Sequence, residues 1–215
     1  MAATSVSLIR VSPGRSAVPL TERVIAGVAV AAIAPAFACA MGAVRLFSGR
    51  APLVAHCRVG QGGQLFWALK LRSMWNDEVT RGGSGWIEYL QDPAVPSMKS
   101  GPDARVTSRF AAFCRTHSID ELPQLLHVIS GKMRLVGPRP MTQAELEEHY
   151  GLAQVEVLSV PPGLTGLWQV MGRNRLSYAQ RKRLDLFFVR RRTWRLTARI
   201  LLRTVSEVLA PRDAW

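Results

Sequence analysis

Ser118-Ile119-Asp120-Glu121-Leu122-Pro123-Gln124 sets two adjacent carboxylates where a helix is expected to begin. Ser118 and Glu121 have the S-x-x-E spacing of a capping box. Leu125, Leu126, Val128 and Ile129 form an apolar run behind them, and Gly131 is a stop signal. Asp120 is then expected in the first turn, where unpaired N–H groups and the helix dipole favour an anion and attract phosphate. The pattern predicts an ionised aspartate beside a phosphate-binding surface, which covalent phosphoryl chemistry requires. The alternative is that both acids only cap the helix.

Working outward, Arg109 and Arg115 precede the pair and Gly131-Lys132-Met133-Arg134-Leu135-Val136-Gly137-Pro138-Arg139-Pro140 follows it. Two prolines stiffen the chain around Arg139 and deny it a regular helix or central strand. A guanidinium on so stiff a loop suits bidentate capture of phosphate. Pro161-Pro162-Gly163-Leu164-Thr165-Gly166-Leu167-Trp168-Gln169-Val170 and Gly172-Arg173-Asn174 make a second Gly/Pro-rich loop with polar groups for a ligand. Upstream, Leu53–Cys57 and Leu65–Leu69 flank Gly60-Gln61-Gly62-Gly63, a hairpin signal. Lys70 and Arg72 follow at period two and are expected on one face of the second strand, either meeting a nucleotide diphosphate or lying at a solvated strand end.

From about Thr21 to its end the chain resembles the bacterial sugar transferases, the monotopic phosphoglycosyl transferases. The resemblance rests on Lys70-Leu71-Arg72-Ser73-Met74, Ser118–Gln124, Leu135–Pro140, Pro162–Asn174 and Leu184-Asp185, in that order. The ending Ile200-Leu201-Leu202-Arg203-Thr204-Val205 is most similar to the short members that start exopolysaccharide assembly. The resemblance implies transfer of a sugar phosphate from a UDP-sugar to polyprenyl (undecaprenyl) phosphate, with Mg2+ held by Asp120 and Glu121. It makes Asp120 the nucleophile and Glu121 its partner, and Asp185 a substrate-site residue. Arg115, Arg139, Lys70 and Arg72 are the phosphate-binding candidates. A hexose, galactose or glucose, is the implied sugar, while the residues themselves leave the sugar and the oligomeric state open. For Asp185 the alternative is an i, i+4 ion pair with Arg181.

The chain departs from the family pattern in three places. Glu22-Arg23-Val24-Ile25-Ala26 lacks the aspartate common at position 26, Ala34-Pro35 stands where Ser-Pro is frequent, and Thr197 holds a position often aspartate. A catalytically silent scaffold relative is therefore one alternative function. A non-enzymatic basic protein binding membrane or nucleic acid is another. It fits the net charge of +13, but no helix-turn-helix, RNP or zinc signature accompanies the charge, so nucleic acid is not an expected partner. The three cysteines, Cys39, Cys57 and Cys114, have neither disulfide nor zinc spacing and read as reduced thiols.

Val24–Val44 is a run of 21 residues without a charge, long enough to cross a bilayer. Pro35 interrupts it, and Arg10, Arg15, Arg23, Arg45 and Arg50 flank both ends, so the positive-inside rule gives little bias. A signal peptide is the alternative. The expected fold is α+β and mainly helical. Residues 1–20 form a flexible basic leader and 21–50 a re-entrant membrane helix. Residues 51–215 form a cytosolic catalytic domain at the inner membrane, beginning with a small β-hairpin. The stretch 77–103 reads as a connector around a short helix near Trp86–Leu90, and Met141–Tyr150 as a solvated acidic helix. Tyr178–Leu209 reads as one long basic amphipathic helix lying in the membrane interface or packing on the core.

Overall fold

The uncharged run dictates one long helix, and it forms as α1, Leu20–Ser48, in the computed structural model of the protein, which describes residues 18–74, 85–90 and 106–210 (Asn174 by its backbone alone). Pro35 lies inside α1 without ending it, and Gly49, at φ 65°, closes it in the left-handed conformation that glycine adopts freely. The helix is apolar and long enough to cross a membrane, and only 6% of its most apolar window is buried.

The expected hairpin forms: β1 (Leu53–Val59) and β2 (Leu65–Leu71) pair antiparallel, from Leu53 opposite Leu71 to Val59 opposite Leu65. The helix expected near Trp86–Leu90 is instead a strand, β3 (Ile87–Leu90), parallel to β1 and completing the sheet β2-β1-β3. The reason is that β1 offers an open edge, which the Leu53 N–H to Trp86 carbonyl bond (3.1 Å) starts to fill. The remainder of that connector, 77–84 and 91–103, and most of the leader lie outside the described residues.

Ser108 caps α2 (Arg109–Thr116), accepting from the Ala111 N–H. The capping box expected at Ser118 does not form. Ser118 is left-handed (φ 55°) and caps nothing, and Ile119–Gln124 is a 3₁₀ turn that leads into a short α3, Leu125–Ile129. Pro123 explains it: without an N–H it cannot donate to the Ile119 carbonyl, so the α-helical ladder starts only after it. Working capping boxes sit instead at Thr142–Glu145 and Ser177–Gln180.

A second, two-stranded parallel sheet joins β4 (Arg134–Val136) to β5 (Gly163–Thr165). Between them run α4 (Gln143–Glu145), a π-helical turn Leu146–Tyr150 and α5 (Gln154–Val157). The acidic stretch is thus helical but not merely solvated, since Leu146 and Tyr150 are buried. After α6 (Leu167–Met171), the expected single helix is two: α7 (Tyr178–Arg191) and α8 (Trp194–Leu209). Thr193 makes the break by capping α8, its side chain accepting from the Leu196 N–H. Ala26, Phe66, Leu125, Val128, Leu135, Leu167, Phe188 and Ile200 form the main core, drawing α1, β2, α3, β4, α6, α7 and α8 together. Each fully buried large side chain there contributes roughly 1.5–3 kcal/mol.

Candidate active site

Three elements meet at the acidic pair. Lys70, near the end of β2, places Nζ 2.7 Å from Glu121 Oε1, and Arg139, on the loop after β4, places a guanidinium nitrogen 3.3 Å from the same oxygen. Burial alone would raise the Glu121 carboxyl, but the charges and hydrogen bonds of Lys70 and Arg139 overcome it and hold it at about 2. Asp120, 8% exposed, is treated differently. Its carboxylate has neither a hydrogen-bond nor an ion-pair partner among the described residues. Burial pushes its pKa above the usual carboxylate value, and the pull of Lys70, Arg115 and Arg139 does not cancel that rise, to which Glu121 adds. The helix N-terminus expected to favour the Asp120 anion thus does not lower its pKa, because one 3₁₀ turn carries little dipole and burial dominates.

The Arg139 loop is stiff, as its prolines require. The Gly163 N–H donates to the Pro138 carbonyl (2.8 Å) and the Gly137 N–H to the Thr165 carbonyl (2.9 Å), while Val59 N–H donates to Met141 carbonyl (2.9 Å) just beyond. Gly137 and Gly163 approach so closely that a Cβ on Gly163 would stand 2.0 Å from Gly137 N. Arg58, Ala68, Lys70, Glu121, Gln124, Arg139, Pro140 and Leu164 line a cleft that takes in Glu121 of the pair. Arg115, whose guanidinium donates to Ser73 Oγ (3.3 Å), lies close enough to lower the Asp120 pKa.

Arg72 goes elsewhere. It lies past the end of β2, 3% exposed, pairs with Glu88 of β3 and donates to the Ala51 carbonyl (2.8 Å), so it does not share the face of Lys70. A buried carboxylate such as Glu88 needs a counter-charge, and Arg72 supplies it.

The bacterial sugar transferase family model matches residues 15–211. The exopolysaccharide production protein ExoY of Sinorhizobium fredii (strain NBRC 101917 / NGR234) is 37% identical over 89% of this chain and 84% of its own. A UDP-galactose-lipid carrier transferase of Erwinia amylovora is 41% identical over 78% of this chain and 35% of its own. A UDP-glucose:undecaprenyl-phosphate glucose-1-phosphate transferase of Caulobacter vibrioides is 36% identical over 98% of this chain and 79% of its own. The chain belongs to the bacterial sugar transferase family and is a phosphoglycosyl transferase.

In this sugar transferase Asp185 is 1% exposed and is not among the residues lining the cleft. Tyr150 donates its hydroxyl to Asp185 Oδ2 (2.7 Å), and Oδ1 has no partner among the described residues. Burial raises the Asp185 carboxyl to about 7 against the Tyr150 hydrogen bond and the charges of Arg139 and Arg181. The ion pair with Arg181 does not form: that guanidinium lies over the Trp168 and Tyr178 rings (4.6 and 5.1 Å) and donates to the Leu176 carbonyl. Sequence reasoning missed His127, Tyr150 and Glu88. His127 Nε2 accepts the Leu69 N–H (3.2 Å), tying β2 to α3, and burial lowers its pKa so that the ring stays a neutral acceptor. Its place inside the apolar run 125–129 was the available signal.

Proposed function

We propose that the protein transfers a hexose 1-phosphate from a UDP-sugar to undecaprenyl phosphate at the cytoplasmic face of the inner membrane, starting exopolysaccharide or other glycoconjugate assembly. One observation carries the mechanism: of two adjacent acids, Glu121 is consumed by two cations and Asp120 is left uncommitted. Paired groups whose environments divide them in this way take different roles. An Asp120 oxygen attacks the sugar-proximal phosphorus, the bond to UMP breaks, and a sugar-phosphoryl aspartate remains. Its raised pKa makes the carboxylate a stronger nucleophile once ionised, and the charges of Lys70, Arg115 and Arg139 favour that ionisation. A phosphate oxygen of undecaprenyl phosphate then attacks the same phosphorus, freeing Asp120 and giving undecaprenyl-diphosphate-sugar. Lys70 and Arg139, prepositioned by Glu121, supply the positive field for the diphosphate, with Arg115 on the Asp120 side.

The donor set fits magnesium. It offers hard carboxylate oxygens from Asp120 and the second oxygen of Glu121, and no cluster of three acidic, His or Cys residues stands among the described residues. Magnesium is usually held by one or two carboxylates with substrate phosphates and water. Bound there, it would supply charge neutralisation on the diphosphate.

Incubation of nanodisc-held protein with magnesium and UDP-sugar but no lipid acceptor should load a sugar phosphate onto the peptide carrying Asp120, read by mass spectrometry. Asp120→Asn should stay folded, lose the adduct and lose turnover by roughly 10³-fold or more. Retained turnover would sink the covalent mechanism, and no UMP release by wild type from any sugar would favour a silent relative. The relatives' names divide between galactose and glucose, so UMP release should be faster from UDP-galactose or UDP-glucose than from UDP-N-acetylglucosamine. The reverse order would overturn the hexose assignment alone.

A further inference from the structure

The segment that runs from the acidic pair to Arg139 is held at two points by consecutive residues of α1. At the end of α3 the Ile129 carbonyl accepts from Arg23 Nε (2.7 Å), satisfying a helix-end acceptor that has no partner within its own helix. Five residues later, at Arg134, Glu22 receives β4. Arg134 Nε donates to Glu22 Oε1 (3.0 Å), a second nitrogen of the same guanidinium bonds the same oxygen, and the Leu135 N–H donates to Oε2 (2.9 Å).

The backbone bond is the informative one. Along a strand alternate N–H groups face opposite edges. On β4 the Arg134 N–H turns toward the β5 side, to the Pro162 carbonyl (2.7 Å). The Leu135 N–H faces the other way, and the Glu22 carboxylate takes the place a neighbouring strand would fill. Glu22 is 8% exposed at the polar start of an otherwise apolar helix. Ala26, one turn on, is fully buried in the core and offers no polar atom.

We propose that Glu22 and Arg23 are positioning residues for the transfer reaction: the first turn of α1 fixes β4, and through it the place of the Arg139 guanidinium against Glu121. The seat of the apolar helix thereby becomes part of the active-site frame. This rests on the reading of Asp120, Glu121 and Arg139 as the reacting centre.

The test uses full-length wild type, Glu22→Gln and Arg23→Ala in nanodiscs. Hydrogen–deuterium exchange is compared with initial rates of UMP release over a range of UDP-galactose and UDP-glucose. In Glu22→Gln, peptides covering residues 134–139 should exchange about tenfold faster with α7 and α8 unchanged. The kcat should fall by about tenfold while KM moves much less, as expected when positioning rather than binding is lost. Arg23→Ala should show the same local pattern at smaller size, and because Arg23 lies on the exposed side its variant decides the matter even if Glu22→Gln does not fold. Wild-type exchange across 130–139 in Arg23→Ala, with unchanged kcat, overturns the proposal. So does faster exchange spread evenly over the domain, which would make the contacts ordinary fold stability. If wild type itself releases no UMP, the functional reading falls, and the exchange pattern still decides whether α1 fixes the loop.

Discussion

Asp120 and Glu121 are neighbours in sequence with opposite environments, and the difference comes from residues far along the chain. Lys70 is 51 positions from Glu121 and Arg139 is 18 positions away, so the pair was legible from local sequence while the division of its roles was not. The same holds for Asp185, visible as a lone acid in a basic run, whereas its burial against Tyr150 depends on the fold. Its carboxyl stands at about 7 against an ordinary 3.8 because burial penalises the anion. An acid raised in the folded state binds its proton more tightly there than when unfolded, so stability is highest below the unfolded value and is lost as pH rises toward 7, then levels. At neutral pH the buried anion costs on the order of a few kcal/mol. Asp185→Asn keeps an oxygen for the Tyr150 hydroxyl and removes the titration. The Tm of Asp185→Asn in nanodiscs should therefore match wild type near pH 4 and exceed it at pH 8. Parallel curves between those limits would mean that Asp185 does not titrate in that window.

Among elements, those whose cause is local were readable: α1 from its uncharged run and the β1–β2 hairpin from its glycines. Where a distant partner decides, the reading failed. β3 exists because β1 has an edge to fill, and the α7–α8 break uses Thr193, a weak signal inside a continuous amphipathic pattern. The β4–β5 sheet is of the second kind, and it carries the loop with Arg139. A methyl group on Gly163 would meet Gly137 N at 2.0 Å and Thr165 O at 2.5 Å, all backbone with no side chain to swing aside. Gly163→Ala should therefore push the two strands apart, destabilise by roughly 2–4 kcal/mol and largely abolish UMP release. Gly131→Ala is the control: its φ of +79° carries strain, but nothing lies within 4 Å of the added carbon. It should cost only about 1 kcal/mol and leave turnover near wild type. Thermal unfolding and UMP assays of the two variants side by side would check this, and equal effects would remove the steric argument.

For the whole molecule the question is how α1 sits relative to the membrane. Its 29 residues would span about 43 Å if straight, against a hydrocarbon core of about 30 Å. Before Pro35, Ala29, Val30 and Ile33 pack on the main core; after it, Phe37, Ala40 and Met41 pack against Leu71 and Cys114. Both halves of the helix thus touch the domain that carries Asp120. A single folded domain lies on one side of the bilayer, so a helix crossing it outright would have to surrender the contacts of one half. Arginine at both ends, Arg23 and Arg45, gives no electrostatic reason for either end to cross. We therefore expect the two flanks of α1 on the same, cytoplasmic side, with the exposed apolar face, including Val24, Ile25 and Val28, turned into one leaflet. Single cysteines introduced at residues 15 and 50, in a background lacking the three native thiols, should react together with a membrane-impermeant maleimide only after the cytoplasmic face is opened. Labelling of one site from outside intact cells and the other from inside would make α1 a true span, and the packing of one of its halves on the domain would then have to differ in the membrane.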